Sequence, residues 1–259
     1  SGVGWATFLA QGIAGILAVI TLLRRVAKLP TGHGKVMLYS KSMLRRIAKI
    51  AVPSILQQSF VSVGNIFIQS LVNSFGSAVI AGYSAAIKLN TFTITSFSTL
   101  GNALSSFSAQ NIGAAKIDRV RKGFRAGTML AWIIAVPFFV LFFFFGNEML
   151  RIFMENPTGG AMKAGMAFLK IVSPFYFIIS LKLLADGLLR GSSAMIGFMV
   201  STFTDLILRV ILAYVFAGLF GSTGIWMSWP VGWSISAIIS LLFYRYTWKQ
   251  LSVERRLLK

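Results

Sequence analysis

Residues 77–123 read SAVIAGYSAAIKLNTFTITSFSTLGNALSSFSAQNIGAAKIDRVRKG. The apolar part predicts a helix of about 30 residues, roughly 45 Å at 1.5 Å per residue, long enough to cross a bilayer. Ser84, Lys88, Thr91, Thr95, Ser98, Asn102 and Ser106 recur at spacings of three or four, so they share one face. A stripe holding a lysine cannot turn to lipid, where an ammonium is costly. It must face other helices or a water-filled cavity. The stretch ends in Ala109-Gln110-Asn111-Ile112-Gly113-Ala114 and then in a burst of charge from Lys116 to Arg125.

The surrounding chain belongs to the same setting. Of 259 residues, 56% are hydrophobic and 12% charged, about half the charge of a soluble domain. The formal charge of +19 would suggest nucleic acid in a soluble protein. Here the basic residues cluster between hydrophobic spans, so nucleic acid is not expected as a partner and membrane lipid is. The absence of cysteine excludes a disulfide scaffold, a thiolate metal site and a thiol nucleophile. The opening Ser1-Gly2-Val3, with no initiator Met and no basic n-region, reads as the start of an incomplete chain.

The fold class expected is an all-α polytopic membrane protein with seven transmembrane helices, a six-helix lobe plus one preceding helix. The spans run over about Val3–Leu23, Ile50–Phe75, the opening stretch, Gly127–Gly146, Met166–Leu189, Ala194–Phe220 and Ile225–Tyr246. Residues 1–23 form the preceding helix, 24–49 a basic linker, 50–246 the lobe and 247–259 a basic tail. The only histidine, His33, falls in the linker. A mixed loop, Asn147–Gly165, carries Glu148, Arg151, Glu155 and Lys163. Lysine and arginine crowd the first and third connections and the tail, while Ser74–Ser77 and Gly218–Gly224 carry no charge. The positive-inside rule then places the N-terminus outside and the C-terminus in the cytoplasm of a cell-membrane protein. Trp226, Trp229, Trp233 and Trp248 suit the interfaces. Pro53, Pro137, Pro174 and Pro230 allow kinks, and Gly123-x-x-x-Gly127 and Gly187-x-x-x-Gly191 allow close helix contact.

Candidate site residues come from the stripes and from the few acids. In the second span Ser54, Gln58, Ser62, Asn65, Gln69 and Asn73 again share one face. Such residues either join helices by hydrogen bonds or line a hydrated path. Two stripes in succession, one holding Lys88, favour the path. Gln58, Asn65, Gln69, Asn73, Lys88, Thr91, Thr95 and Asn102 are therefore the expected substrate contacts. Of six acids, only Asp186 and Asp205 can lie near or within the membrane, each with an arginine four residues on, Arg190 and Arg209. Asp186, near the end of its span, reads as structural. Asp205, well inside its span, reads as the proton-coupling acid with Arg209, or else as half of a static brace. No H-E-x-x-H, G-x-S-x-G or G-x-x-x-x-G-K-[ST] occurs, so neither an enzyme nor a nucleotide-driven pump is expected. No cofactor is expected, and the coupling ion would be H+ or Na+.

The order of several segments resembles the multidrug and toxic compound extrusion (MATE) transporters. GVGWATFLAQGIAGILAVITLLRR is similar to the sixth helix of that family, VPSILQQSFVSVGNIFIQSLVNSFG and the opening stretch to the seventh and eighth. PFYFIISLKLLADGLLRGSSA, STFTDLILRVILAYVFAGLFGSTGIWMSWPVGW and YRYTWK resemble the tenth to twelfth. Gln110-Asn111-x-Gly113-Ala114, Leu189-Arg190-Gly191 and Gly224-Ile225-Trp226 are the most specific pieces. The resemblance implies twelve helices in two lobes around a cavity, exporting organic cations or amphipathic drugs by antiport through alternating access. This chain would be helix six plus the second lobe, and its partner the missing N-terminal lobe. Acids that some branches carry in the seventh helix, or just after the Arg-Gly of the tenth, are absent here, which leaves Asp205. Two alternatives stand beside this reading: a flippase for lipid-linked oligosaccharides, with a more cationic cavity, and a non-transporting membrane scaffold.

Overall fold

The computed structural model describes residues 2–27, 39–154 and 158–257. Among these residues lie nine α-helices, one 3-10 turn and no strand. Glu155, His33 and the linker segment 28–38 lie outside the described residues. The chain divides into two units, residues 1–44 and 45–259.

The first unit holds α1, Gly2–Val26. Its side chains from Gly4 to Val26 are exposed all round and mostly apolar up to the Arg24-Arg25 end, as suits a helix whose solvent is lipid.

The second unit contains nearly all of α2 (Lys41–Asn73) and then α3 (Ser77–Gly113), α4 (Ile117–Phe144), α5 (Gly146–Arg151), α6 (Gly159–Val172), α7 (Tyr176–Gly191), α8 (Met195–Phe220) and α9 (Ser222–Leu257). The expected linker and tail are thus partly helical: α2 starts at Lys41, and α9 runs on to Leu257. The fifth span is longer than its apolar core suggests. It starts at Gly159, where the Thr158 hydroxyl accepts a hydrogen bond from the Ala161 N–H at 3.3 Å. It continues through a 3-10 turn at Ser173–Phe175 into α7. Among the described residues Pro174 interrupts its helix, while Pro53, Pro137 and Pro230 lie inside continuous ones.

Among the described residues, six stretches are long and apolar enough to cross a membrane. α3 is not one of them. At 37 residues, about 55 Å, it has the length, but its hydroxyls, amides and Lys88 lower its hydropathy.

Joints between helices are short. Gly76, φ +89°, links α2 to α3, and Gly221, φ +63° and ψ −149°, links α8 to α9; these backbone conformations suit glycine alone. The α3–α4 and α7–α8 joints share another design. Ala115 and Ser193 each take positive φ, and the next N–H closes the turn: Lys116 to the Asn111 carbonyl and Ala194 to that of Leu189, both at 2.8 Å.

The core lies between α3, α6, α7 and α9. Tyr83 stacks on Trp226 at 5.0 Å, and Phe168 meets Trp226 and Trp229 edge-on. Trp226, Trp229 and Trp233 are at most 5% exposed, so they are core residues and not interfacial anchors. A helix packed against two neighbours buries its large rings wherever they point inward, and proximity to a helix start does not decide it. Close approach uses glycine: a Cβ on Gly187 would collide with the Gly101 carbonyl of α3, and one on Gly191 with the Ser105 carbonyl. The outward face carries Ile133, Phe144, Ile196, Ile207 and Leu219, all exposed, the reverse of a water-soluble surface.

Candidate functional site

Within the second unit, α2, α3, α7, α8 and α9 enclose a cavity of about 500 Å³. Helical periodicity builds its two polar walls. Gln57, Gln58, Asn65 and Gln69 come from α2; Asn90, Thr91, Thr95 and Ser98 come from α3. The third wall holds the charges, Lys182 of α7 with Asp205 and Arg209 of α8, and Trp229 and Trp233 of α9 lie beside them. α2 meets α8 through Phe60 on Phe203, rings 5.1 Å apart, and through Gly64 against Leu206.

The walls differ in rigidity. Asn90 is buried and its Oδ1 accepts the Tyr176 hydroxyl at 3.1 Å, so that side chain is fixed. Thr91 and Thr95 are exposed to the cavity. Arg209, 6% exposed, lays its guanidinium over the Trp229 ring at 4.6 Å, a cation–π contact. Asp205, 7% exposed, leaves Oδ1 without a hydrogen-bond partner. The expected Asp205–Arg209 ion pair does not form. The spacing allows it, but the aromatic wall of α9 offers the guanidinium a flat partner, and Arg209 takes that instead. Asp186 also has a different partner from the one expected: Lys182, at 2.9 Å, where Arg190 was anticipated.

Seven of the ten expected site residues, Gln58, Asn65, Gln69, Thr91, Thr95, Asp205 and Arg209, meet at this cavity. Three do not. Lys88 lines a separate cavity of about 510 Å³ with Ser77, Ser84 and Thr158, its ammonium 5.9 Å from the Phe153 ring. Side chains lean toward the helix N-terminus, and a long one three residues before Thr91 reaches the Ser77 end. Asn73 accepts a hydrogen bond from the Gln69 amide at 2.8 Å. Asn102 accepts one from Arg190 at 2.8 Å, tying α3 to α7. Sequence reasoning missed Lys182, Tyr83, Thr202, Trp229 and Trp233. Lys182 alone left a signal: Lys-x-x-x-Asp places it one turn before Asp186. Among the described residues no three of His, Cys, Asp and Glu gather as a metal site would need.

A buried aspartate and arginine beside an amide-lined cavity offer charge, hydrogen bonds and an aromatic wall to an amphipathic molecule. Residues 53–215 match the MatE family model. The chain is 28% identical to "Probable multidrug resistance protein YpnP" of Bacillus subtilis over 98% of its own length and 56% of the relative's. It is 22% identical to "Probable multidrug resistance protein NorM" of Thermotoga maritima, over 94% of this chain and 52% of that one. The fold matches the crystal structure of the Vibrio cholerae MATE transporter VcmN in the bent form with a TM-score of 0.82 at 15% identity, over 92% of this chain and 54% of that one. An outward-facing multidrug resistance MATE family transporter of the MOP superfamily matches with a TM-score of 0.77 at 18% identity, over 84% and 49%. The chain spans about half the length of the curated relatives it matches.

Proposed function

Because this chain belongs to the MatE family, a family of membrane transporters and not of enzymes, we propose that it forms helix six and the second lobe of a multidrug efflux transporter. That transporter exports organic cations or amphipathic drugs in exchange for H+ or Na+. One observation carries the reading: two amide and hydroxyl stripes open onto the same cavity as a buried acid. Its polar walls hold a substrate loosely, and Trp229 and Trp233 take its apolar part. Asp205 is the coupling group in this reading, with Arg209 held aside on Trp229 to set the field around it. The missing N-terminal lobe closes the cavity from the opposite side. The basic connections face the cytoplasm.

The test is extrusion of a fluorescent organic cation from proteoliposomes holding the complete protein, under an imposed proton gradient and then a sodium gradient. Dye movement driven by either ion, and abolished by collapsing it, is the expected result. No movement under both ions sinks the antiport reading. Lys182 and Arg209 both line the cavity, which favours the lipid-linked oligosaccharide flippase as the second reading. Scrambling of a labelled lipid-linked sugar without any ion gradient would establish it.

A further inference from the structure

Behind the cavity wall, α7, α8 and α9 enclose a polar cluster that the transport reading does not use. Asp186 Oδ2 holds the Lys182 ammonium at 2.9 Å. Asp186 Oδ1 accepts from Ser240 Oγ at 2.6 Å and lies 3.4 Å from Ser201 Oγ. Ser201 also reaches the Ser236 carbonyl at 3.2 Å and touches the Ser240 hydroxyl. Asp186 and Lys182 are 3% and 4% exposed, and all three serines are fully buried.

The cluster is a set of carboxylate, hydroxyl and carbonyl oxygens carrying a single negative charge. Oxygen donors of this kind hold hard cations, and one buried charge calls for a monovalent partner. The ammonium is that partner, and its side chain borders the cavity. Serine hydroxyls rotate, so with the ammonium withdrawn their lone pairs can turn inward. Neighbouring cations make their direct contacts elsewhere, although Arg190 still feels the Asp186 charge. Arg190, one turn further on α7, donates to Asn102 and lies over Phe198; Arg209 on α8 lies over Trp229. Asp205, one turn beyond Ser201 on α8, adds negative charge to the region.

We propose that Asp186, Ser201, Ser240 and the Ser236 carbonyl form a monovalent-cation site in which the Lys182 ammonium occupies the place of a free sodium ion. The lobe thus carries its cation on a tether. Emptying the tether with Lys182→Met turns the cluster into a sodium site.

The test is thermal melting of the complete protein in detergent, in sodium chloride against equal choline chloride. It reads binding and not transport, so it stands or falls apart from the efflux assay. Wild type is expected to melt alike in both salts. Lys182→Met is expected to melt higher in sodium by about 2 °C, the shift that a ligand near ten times its Kd gives a protein about twice the length of this chain. The double variant Lys182→Met/Asp186→Asn, which removes both charges, is expected to fold and to ignore sodium. Equal melting of Lys182→Met in the two salts would overturn the proposal. So would its failure to fold in either salt while the double variant folds. A sodium shift in wild type that Asp186→Asn removes would also overturn it, since the ammonium would then not be the occupant.

Discussion

Asp205 and Asp186 sit 19 residues apart by number and respond to substitution in opposite ways. Asp205 Oδ1 has no hydrogen bond to lose, so Asp205→Asn costs stability of about 1 kcal/mol or less. Its charge is what the proposed coupling needs. The expected outcome is an unchanged size-exclusion profile with dye extrusion lowered at least about tenfold, and a variant that exports normally would remove Asp205 from the mechanism. Asp186→Asn instead leaves the buried Lys182 ammonium unbalanced, a loss of about 3–5 kcal/mol, visible as a large fall in melting temperature. Local spacing misjudged this second acid. Lys182 and Arg190 lie four residues to either side of it, and helical periodicity cannot say which one turns toward it. The serines of α8 and α9 decide the matter, by fixing the carboxylate on the Lys182 side.

At the scale of elements, α3 and α7 are held by absence of side chains. Gly187 lies against the Gly101 carbonyl, and Gly191 against that of Ser105. Gly187→Val must push α3 away from α7 and so disturb the Asn102–Arg190 bond as well. A loss of about 3 kcal/mol or more is expected, read as lower melting temperature and poor recovery from detergent. Gly123→Ala should cost less, because its neighbour is the Phe107 ring, a side chain that can swing. The helices themselves were legible. Long apolar runs fix their existence, and the stripe of α3 was readable because one helix face carries it whole. Their limits were not. The start of α6 depends on the Thr158 cap and the break at Ser173–Phe175 on Pro174, and hydropathy senses neither. The three buried tryptophans were misread for a related reason, since rings at a helix start look alike whether lipid headgroups or Tyr83 and Phe168 cover them.

For the whole molecule, the stripes announced a cavity and the sequence named Asp205 and Arg209 of its charged wall, but not Lys182, which needs α7 and α8 brought side by side across a Ser193 turn. Orientation in the membrane is open to direct test by single cysteines, since residues 1–259 contain none and any cysteine elsewhere in the complete protein can first be replaced. Asn147→Cys is expected to react with an impermeant maleimide on intact cells, and Arg119→Cys only after permeabilisation. The reverse pattern would invert the topology. The pairing of Lys182 with Asp186 bears on how such a chain is made. Presented singly to the insertion machinery, a lysine and an aspartate each cost up to about 3 kcal/mol at the centre of a span, and less toward its end, where this pair lies. Joined one turn apart on α7, they can enter the bilayer as a neutral pair as soon as that helix forms. Partitioning of α7 need not then wait for α8 and α9 to be synthesised, and the serines that later seal the pair arrive at a helix already in place.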